Sequence, residues 1–256
     1  MKYSIIVVGA GGTGSYFLKE VSRFLQGNGS IAGLYVYDGD VVEKKNLARQ
    51  SFMSEDVGRN KAAVMAEALN EAFGLSWMAF PHYVNKADEL ISVASRRGSY
   101  GEAILPILVC CADNHAVRLL MEEAFGKLDN AAYFDSANEF TTGEVVYAYR
   151  VNKKTLGPAR THYFPDVKKG DLRGREEMSC TELNAVEPQH IFTNMLAGNL
   201  LCTGVSNLLA KKSTPGVAYF NASRMDCRFV PYVPAEKPEK PSAERRGRGR
   251  KKKAEP

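Results

Sequence analysis

No apolar run in these 256 residues reaches the ~20 needed to cross a bilayer as a helix, so no membrane partner is expected. The five cysteines, at positions 110, 111, 180, 202 and 227, include no CxxC pair. Tetrahedral zinc sites draw on such close pairs, so no zinc is expected, and the odd count argues for free thiols over a disulfide framework. Histidine is scarce. His82, His115, His162 and His190 stand in no motif, and each reads as a structural or surface residue. The body of the chain also lacks a charge bias. Of 34 Lys and Arg and 29 Asp and Glu, nine and four respectively fall in residues 235–256, which leaves 25 of each sign to cancel. The body as a whole therefore shows no electrostatic footprint for nucleic acid. The opening MKYSIIVVGAGG does not read as a signal peptide, because its apolar run breaks at glycines that a turn requires. A cytoplasmic location is expected. No internal repeat is present.

What remains is the composition of a globular protein, 45% hydrophobic and 25% charged, in a chain long enough to bury a sizeable core. Through residue 136, apolar strands alternate with helical periods, the signature of a parallel sheet with crossover helices. Strands are expected at 3–8, 33–38, 75–84, 104–112 and 131–136. Helices are expected at 15–25, 60–73, 87–97 and 115–127. Beyond that the pattern changes. GEVVYAYRV (143–151) alternates like a strand with one wet face, and residues 152–189 form a polar crossover too long for an ordinary connection, hence functional or mobile. A helix is expected from Ile191 to about Leu209, with Ile191, Met195, Leu196, Leu200, Val205 and Leu208 near one face. VAYFNA and CRFVPYV read as an antiparallel pair turning at 223–225. The Pro-, Lys- and Arg-rich tail, 235–256, is expected to be disordered. It serves either as a solubilising linker or as a weak contact for nucleic acid.

GAGGTGS (9–15) follows the first strand and opens a helix. Its glycines suit close approach of a backbone to phosphate at a helix N-terminus, and Gly9, Gly11 and Gly14 satisfy GxGxxG, with Gly12 and Ser15 in the same turn. Asp38, 24 residues past Gly14, ends the second strand, where a carboxylate can accept from both ribose hydroxyls. To this point NAD and ATP are not distinguished, and a turn built only for helix packing is the plain alternative. DGDVVEKKNLARQSF (38–52) adds what a dinucleotide does not need: Asp40, Asn46, Arg49 and Gln50, followed by Lys61. Arg49 and Lys61 would set two cations against a polyphosphate. In CCADNHAVR, Asp113 stands just past the end of a parallel strand, where open sheets bind ligands, and it suits a magnesium ion bridging phosphates. Its alternative is to cap the helix that follows. Asn114 and Arg118 are placed to orient it. The fold expected is α/β, a Rossmann-like, mostly parallel sheet with helices on both faces plus C-terminal antiparallel strands. Residues 1–234 form the body: a nucleotide-binding half (1–140), the crossover (152–189), and a C-terminal helix with strands (190–234).

GxGGxGS, DxDxVxxxNLxRQ, DVGxxKA and CxDNxxxR, in that order over residues 3–140, resemble the ubiquitin-activating-enzyme superfamily typified by ThiF and MoeB. FGLSW, MSCTELNAVEPQHIFTNML and VAYFNASRMDCRFVP look most like the ThiF-type family of PRTRC gene clusters. The resemblance implies adenylation, with ATP and Mg²⁺, of the C-terminal glycine carboxylate of a small ubiquitin-like (β-grasp) or sulfur-carrier protein, by a homodimer. By residue match, Asp38 would hold the ribose. Asn46, Arg49 and Lys61 would bind phosphates, Gln50 would support the loop, and Asp113 would hold magnesium. Cys180 matches the cysteine before the late helix of ThiF-like proteins and is a candidate to capture the adenylate as a thioester or persulfide. Glu176, Glu177 and Glu182 would oppose its ionisation, so a structural role stays open. Two departures stand out. The chain starts directly on its first strand, so the arginine that an N-terminal helix delivers across the dimer in such proteins is expected to be absent or replaced from elsewhere, and the zinc-ligand CxxC pairs are missing. An NAD(P)-dependent oxidoreductase and a non-catalytic nucleotide-binding scaffold are the rival readings.

Overall fold

The computed structural model describes residues 1–98, 101–169 and 190–234. Nine strands among them form one sheet in the order β3-β2-β1-β4-β5-β6-β8-β9, with β7 paired to β6. Strands β1 (Lys2–Val8), β2 (Ile31–Tyr37), β3 (Trp77–Phe80), β4 (Ile104–Cys110) and β5 (Ala131–Asn138) run parallel. From β6 (Thr142–Val151) the pairing turns antiparallel, through β7 (Lys154–Gly157), β8 (Gly216–Asn221) and β9 (Asp226–Pro231).

Alternation along the central strands divides the core in two, because successive side chains leave a strand on opposite faces. Ile5 and Val7 of β1 and Val109 of β4 pack with Phe17, Met65 and Leu201 from α1 (Gly12–Leu25), α2 (Lys61–Phe73) and α6 (Ile191–Leu209). Ile6, Val8 and Leu108 pack on the other face with Leu90 and Met121 from α3 (Ala87–Ala94) and α4 (His115–Lys127). A short helix, α5 (Arg160–Tyr163), lies between β7 and α6 in the chain. No helix among the described residues is long and apolar enough to cross a membrane.

The architecture is the one expected, with three local differences. The third strand is four residues long instead of ten: β3 pairs only with β2 at the sheet margin, and Pro81 follows it without an N–H to donate. The helix α6 buries only part of the face its large side chains mark. Val205 and Leu208 are buried and Leu196 and Leu200 pack against the core, but Met195 is exposed, and Thr193, Asn194, Ala197, Gly198, Leu201 and Gly204 are buried as well. Small residues win because α6 lies tight against α1, where a Cβ on Gly198 would stand 3.0 Å from the Phe17 nitrogen. Residues 152–169, expected as part of a long irregular crossover, hold β7, α5 and a 3₁₀ turn at Pro165–Lys169.

Candidate functional site

The helix after β1 packs on one face of the sheet and the helix after β4 on the other, while β1 and β4 are neighbours. A crevice must therefore open beyond the carboxyl ends of these two strands. It holds a cleft of about 300 Å³. Gly9, Gly11 and Gly12 line it, with Asp38, Asp40, Asn46, Arg49, Gln50, Lys61, Asp113 and Asn114. Segments far apart in sequence meet there.

The glycine turn is shaped by close approach. Gly9 has φ +97°, and a Cβ on Gly14 would lie 2.0 Å from the Gly9 carbonyl oxygen. Gly11 caps α1 without a side-chain hydrogen bond, and the first turn contains no acidic residue, which leaves that N-terminus suited to an anion. Gly14 and Ser15 do not line the cleft as the motif led us to expect; they stand behind it. The Ser15 hydroxyl donates to the Gly12 carbonyl (3.1 Å) and accepts from the Ser51 N–H (3.1 Å), stapling the 43–52 loop to α1.

Asp38 ends β2 with both carboxylate oxygens engaged: Oδ2 accepts from the Ala10 N–H (2.6 Å) and Oδ1 from the Asp40 N–H (2.8 Å). Burial, then the charge of Asp40, pushes its carboxyl up to about 6, against the pull of Lys61 and those two N–H groups. Asp40 accepts from the Tyr83 hydroxyl and from Lys61 Nζ at 2.9 Å. Lys61 is buried at 4% exposure, so its ammonium faces the cleft only as a member of this pair. Asn46 uses its side-chain oxygen to accept from the Glu43 N–H (2.9 Å), closing the turn that presents Arg49. No hydrogen bond or ion pair reaches the Arg49 side chain from the described residues. Two buried polar atoms of cleft-lining residues, Tyr37 Oη and Gln50 Oε1, have no partner among the described residues.

Asp113 is exposed at the mouth, and the cap of α4 is Asn114, whose side chain accepts from the Val117 N–H (3.1 Å). The capping alternative for Asp113 is thus filled by its neighbour. Nor does Arg118 direct its hydrogen bonds to Asp113. It is buried, bonded to Asp135, and donates to the Ser136 and Ala112 carbonyls at 2.7 Å each. Burial lowers the Arg118 guanidinium, but Asp135, Cys110, Tyr133 and Asp113 together raise its pKa further than burial lowers it. Burial also pushes the Cys110 thiol up to about 12 and that of Cys111 well above its ordinary value, which disfavours the thiolate in both. Cys180 and the basic tail lie outside the described residues.

Sequence reading missed three residues. Asn60 caps α2 by accepting from the Ala63 N–H (3.0 Å) and donates to the Asp38 (2.8 Å) and Asp40 (3.1 Å) carbonyls, holding the acidic loop. Asn138 accepts from the Thr13 hydroxyl (3.0 Å) and donates to Asn194 (2.9 Å), joining β5 and α6 to the glycine turn. An asparagine at the start of the helix expected at 60–73 is a signal that could have found Asn60; nothing local points to Asn138 or Asn194.

No group of three or more His, Cys, Asp or Glu side chains is gathered to hold a metal by itself among the described residues. The cleft does hold three aspartates, Asp38, Asp40 and Asp113. Asp113 is the exposed aspartate at the mouth. That suits an ion such as magnesium, which takes one or two carboxylates and completes its shell with water and phosphate.

The model of the ThiF family matches residues 1–242. The chain belongs to the ThiF family. Among relatives of this ThiF-family chain, human ubiquitin-like modifier-activating enzyme 7 is 47% identical over 64 residues, which is 25% of this chain and 6% of that enzyme. Rice (Oryza sativa subsp. japonica) ubiquitin-like modifier-activating enzyme 5 is 26% identical over 134 residues, 49% of this chain and 30% of that one. E. coli MccB solved with ATP superposes with a TM-score of 0.62 at 18% identity, over 90% of this chain and 63% of MccB. The MccB structure with AMPCPP and MccA gives 0.63 at 18% identity, over the same shares. PaaA gives 0.62 at 14% identity, over 90% of this chain and 64% of PaaA. At these identities the solved structures establish the fold. The chain spans less than a third of each of the two curated relatives.

Proposed function

We propose that this ThiF-family protein is an ATP-dependent adenylyltransferase acting on the terminal carboxylate of a small protein or peptide, with a ubiquitin-like or sulfur-carrier protein ending in glycine as its substrate. The observation that carries the reading is the convergence, in the one cleft at the β1–β4 crevice, of the Asp38 carboxylate with Arg49, Lys61 and Asp113. Two activating enzymes of ubiquitin-like modifiers among its relatives, and MccB solved with ATP and with AMPCPP and MccA, support it.

The chemistry is an in-line displacement. An oxygen of the acceptor carboxylate bonds to the α-phosphorus, the bond from that phosphorus to the bridging oxygen breaks, and pyrophosphate leaves with the electron pair. The nucleophile is already ionised at neutral pH, so no general base is needed. Its difficulty is anion meeting anion. Arg49 presents a guanidinium fork that spreads over phosphate oxygens, and Lys61, anchored by Asp40, supplies a fixed positive charge. Asp38, held by two backbone N–H groups, orients the ribose. Asp113 would hold magnesium, which supplies further charge neutralisation on the leaving pyrophosphate. Asn46 and Gln50 keep the Arg49 loop in shape.

Homodimer formation, Cys180 as the acceptor of the adenylate, and membership of the PRTRC-type branch belong to the same proposal. Purified protein with a glycine-ending β-grasp partner should catalyse exchange of labelled pyrophosphate into ATP, and Asp113→Ala should abolish it. Exchange that survives this substitution removes the magnesium role. Tight binding of NADH with indifference to ATP and Mg²⁺ would return the assignment to hydride transfer.

A further inference from the structure

A buried charge hub lies behind the cleft. Asp135 on β5 is fully buried and is shared by two guanidiniums, one from α4 and one from α5. One oxygen accepts from Arg118 of α4; the other accepts from Arg160 Nε of α5 (2.9 Å) and from the Tyr133 hydroxyl (2.8 Å). Arg160, itself buried at 2% exposure, also donates to the Asp135 carbonyl (3.1 Å) and to Glu144 of β6 (2.6 Å). Arg118 reaches on to the carbonyls of Ala112 and Ser136.

The geometry points to Arg160 as a positioning residue for Asp113, acting through Asp135 and Arg118 from outside the cleft. Arg160 does not line the cleft, whereas Ala112, Asp113 and Ser136 do. A lone arginine facing Asp135 would leave one carboxylate oxygen to the Tyr133 hydroxyl and the Asp135 carbonyl without its guanidinium donor, and so hold the hub less firmly. With Arg160 in place, both oxygens and the Asp135 carbonyl are fixed, so Arg118 has one orientation in which it can hold the Ala112 carbonyl. That carbonyl belongs to the peptide bond leading directly into Asp113. Burying two guanidiniums on one carboxylate is costly as a stabilising device, since desolvation consumes most of the gain. It is effective at holding one geometry. The inference rests on the magnesium role proposed for Asp113, but the contact chain itself does not.

The test uses Arg160→Met, with Glu122→Ala as the control. Glu122 of α4 accepts from the Thr161 N–H (3.1 Å) and hydroxyl, so removing it loosens α5 without touching Asp135. In the full-length, nucleotide-free protein, amide hydrogen exchange over residues 111–117 should accelerate about tenfold in R160M and not in E122A. Equal acceleration in both variants, or none in R160M, overturns the inference. Should R160M fail to fold, R160K is read in its place, because one ammonium cannot satisfy Asp135 and Glu144 together. The half-saturating Mg²⁺ concentration for ATP binding should rise about tenfold in R160M and stay unchanged in E122A, the size seen when a metal ligand loses its outer support. Wild-type protein that binds no ATP overturns the functional reading and leaves the exchange result to judge the hub.

Discussion

Lys61 and Asp40 hold each other twice: Nζ lies 2.9 Å from the Asp40 carboxylate, and the Lys61 N–H donates to the Asp40 carbonyl, also at 2.9 Å. The backbone contact survives any substitution at 61; the ion pair does not. Lys61→Met should strip the Asp40 carboxylate of this ion pair, at a cost of about 3 kcal/mol for a mostly buried charge that loses its cation. Urea denaturation measures the loss, and ATP affinity should fall in the same variant.

Arg49 should separate binding from stability. It makes no hydrogen bond or ion pair with the described residues, so Arg49→Ala should shift the unfolding free energy by less than about 0.5 kcal/mol. Nucleotide titration should nevertheless show affinity falling at least about tenfold, since a charge-assisted contact to phosphate is removed.

Asp38 sets a pH dependence with a definite sign. Its carboxyl, raised to about 6 by burial and by Asp40, holds a proton in the folded chain over a range where an unfolded aspartate has released it. The folded state therefore binds the extra proton between about pH 4 and 6, and stability of the nucleotide-free protein should fall as pH rises through that window, then level off. Nucleotide affinity should run the other way and increase through pH 6, as the ribose-binding carboxylate ionises. Asp38→Asn should flatten both curves in denaturation and binding series.

Asn60→Ala removes a helix cap and two bonds to the Asp38 and Asp40 carbonyls at once. A cost of about 2 kcal/mol is expected, at the upper end for caps, together with a weaker affinity for ATP, read by calorimetry.

Gly14→Ala and Gly126→Ala should have opposite effects. A Cβ at 14 meets the Gly9 oxygen at 2.0 Å, so the turn must shift and about 3 kcal/mol should be lost. At 126, inside α4, nothing lies within 4 Å of the added carbon, and helix propensity should yield a gain of about 0.5–1 kcal/mol. Thermal melts of the two variants check both signs.

Much of the parallel half was legible because its signals are local. Helix α4 spans 115–127 as its periodicity indicates, and β1 and β4 read as buried strands because both of their faces are covered. Asp38, Arg49 and Lys61 could be picked out because backbone turns place them at short separations. What was not legible depends on partners distant in the chain. Arg160 sits in a polar stretch and looks like a surface residue until β5 supplies Asp135, 25 residues upstream. The buried face of α6 is decided by how closely α1 approaches, which hydrophobicity along one helix does not encode. Ser15 looked like a ligand-binding residue because its motif is a ligand-binding motif; only the position of Ser51 shows what the hydroxyl holds.

The strand β5 pairs parallel with β4 and antiparallel with β6, so it is the last strand of one arrangement and the first of the other. Among the described residues there is consequently no seam along which the two parts of this sheet can swing apart. A ladder of backbone bonds would have to break first. Binding events on the two sides of β5 must then be communicated through side chains crossing a rigid plate, and a design that swaps the carboxyl-terminal strands for those of a relative must carry the facing residues of β5 with them.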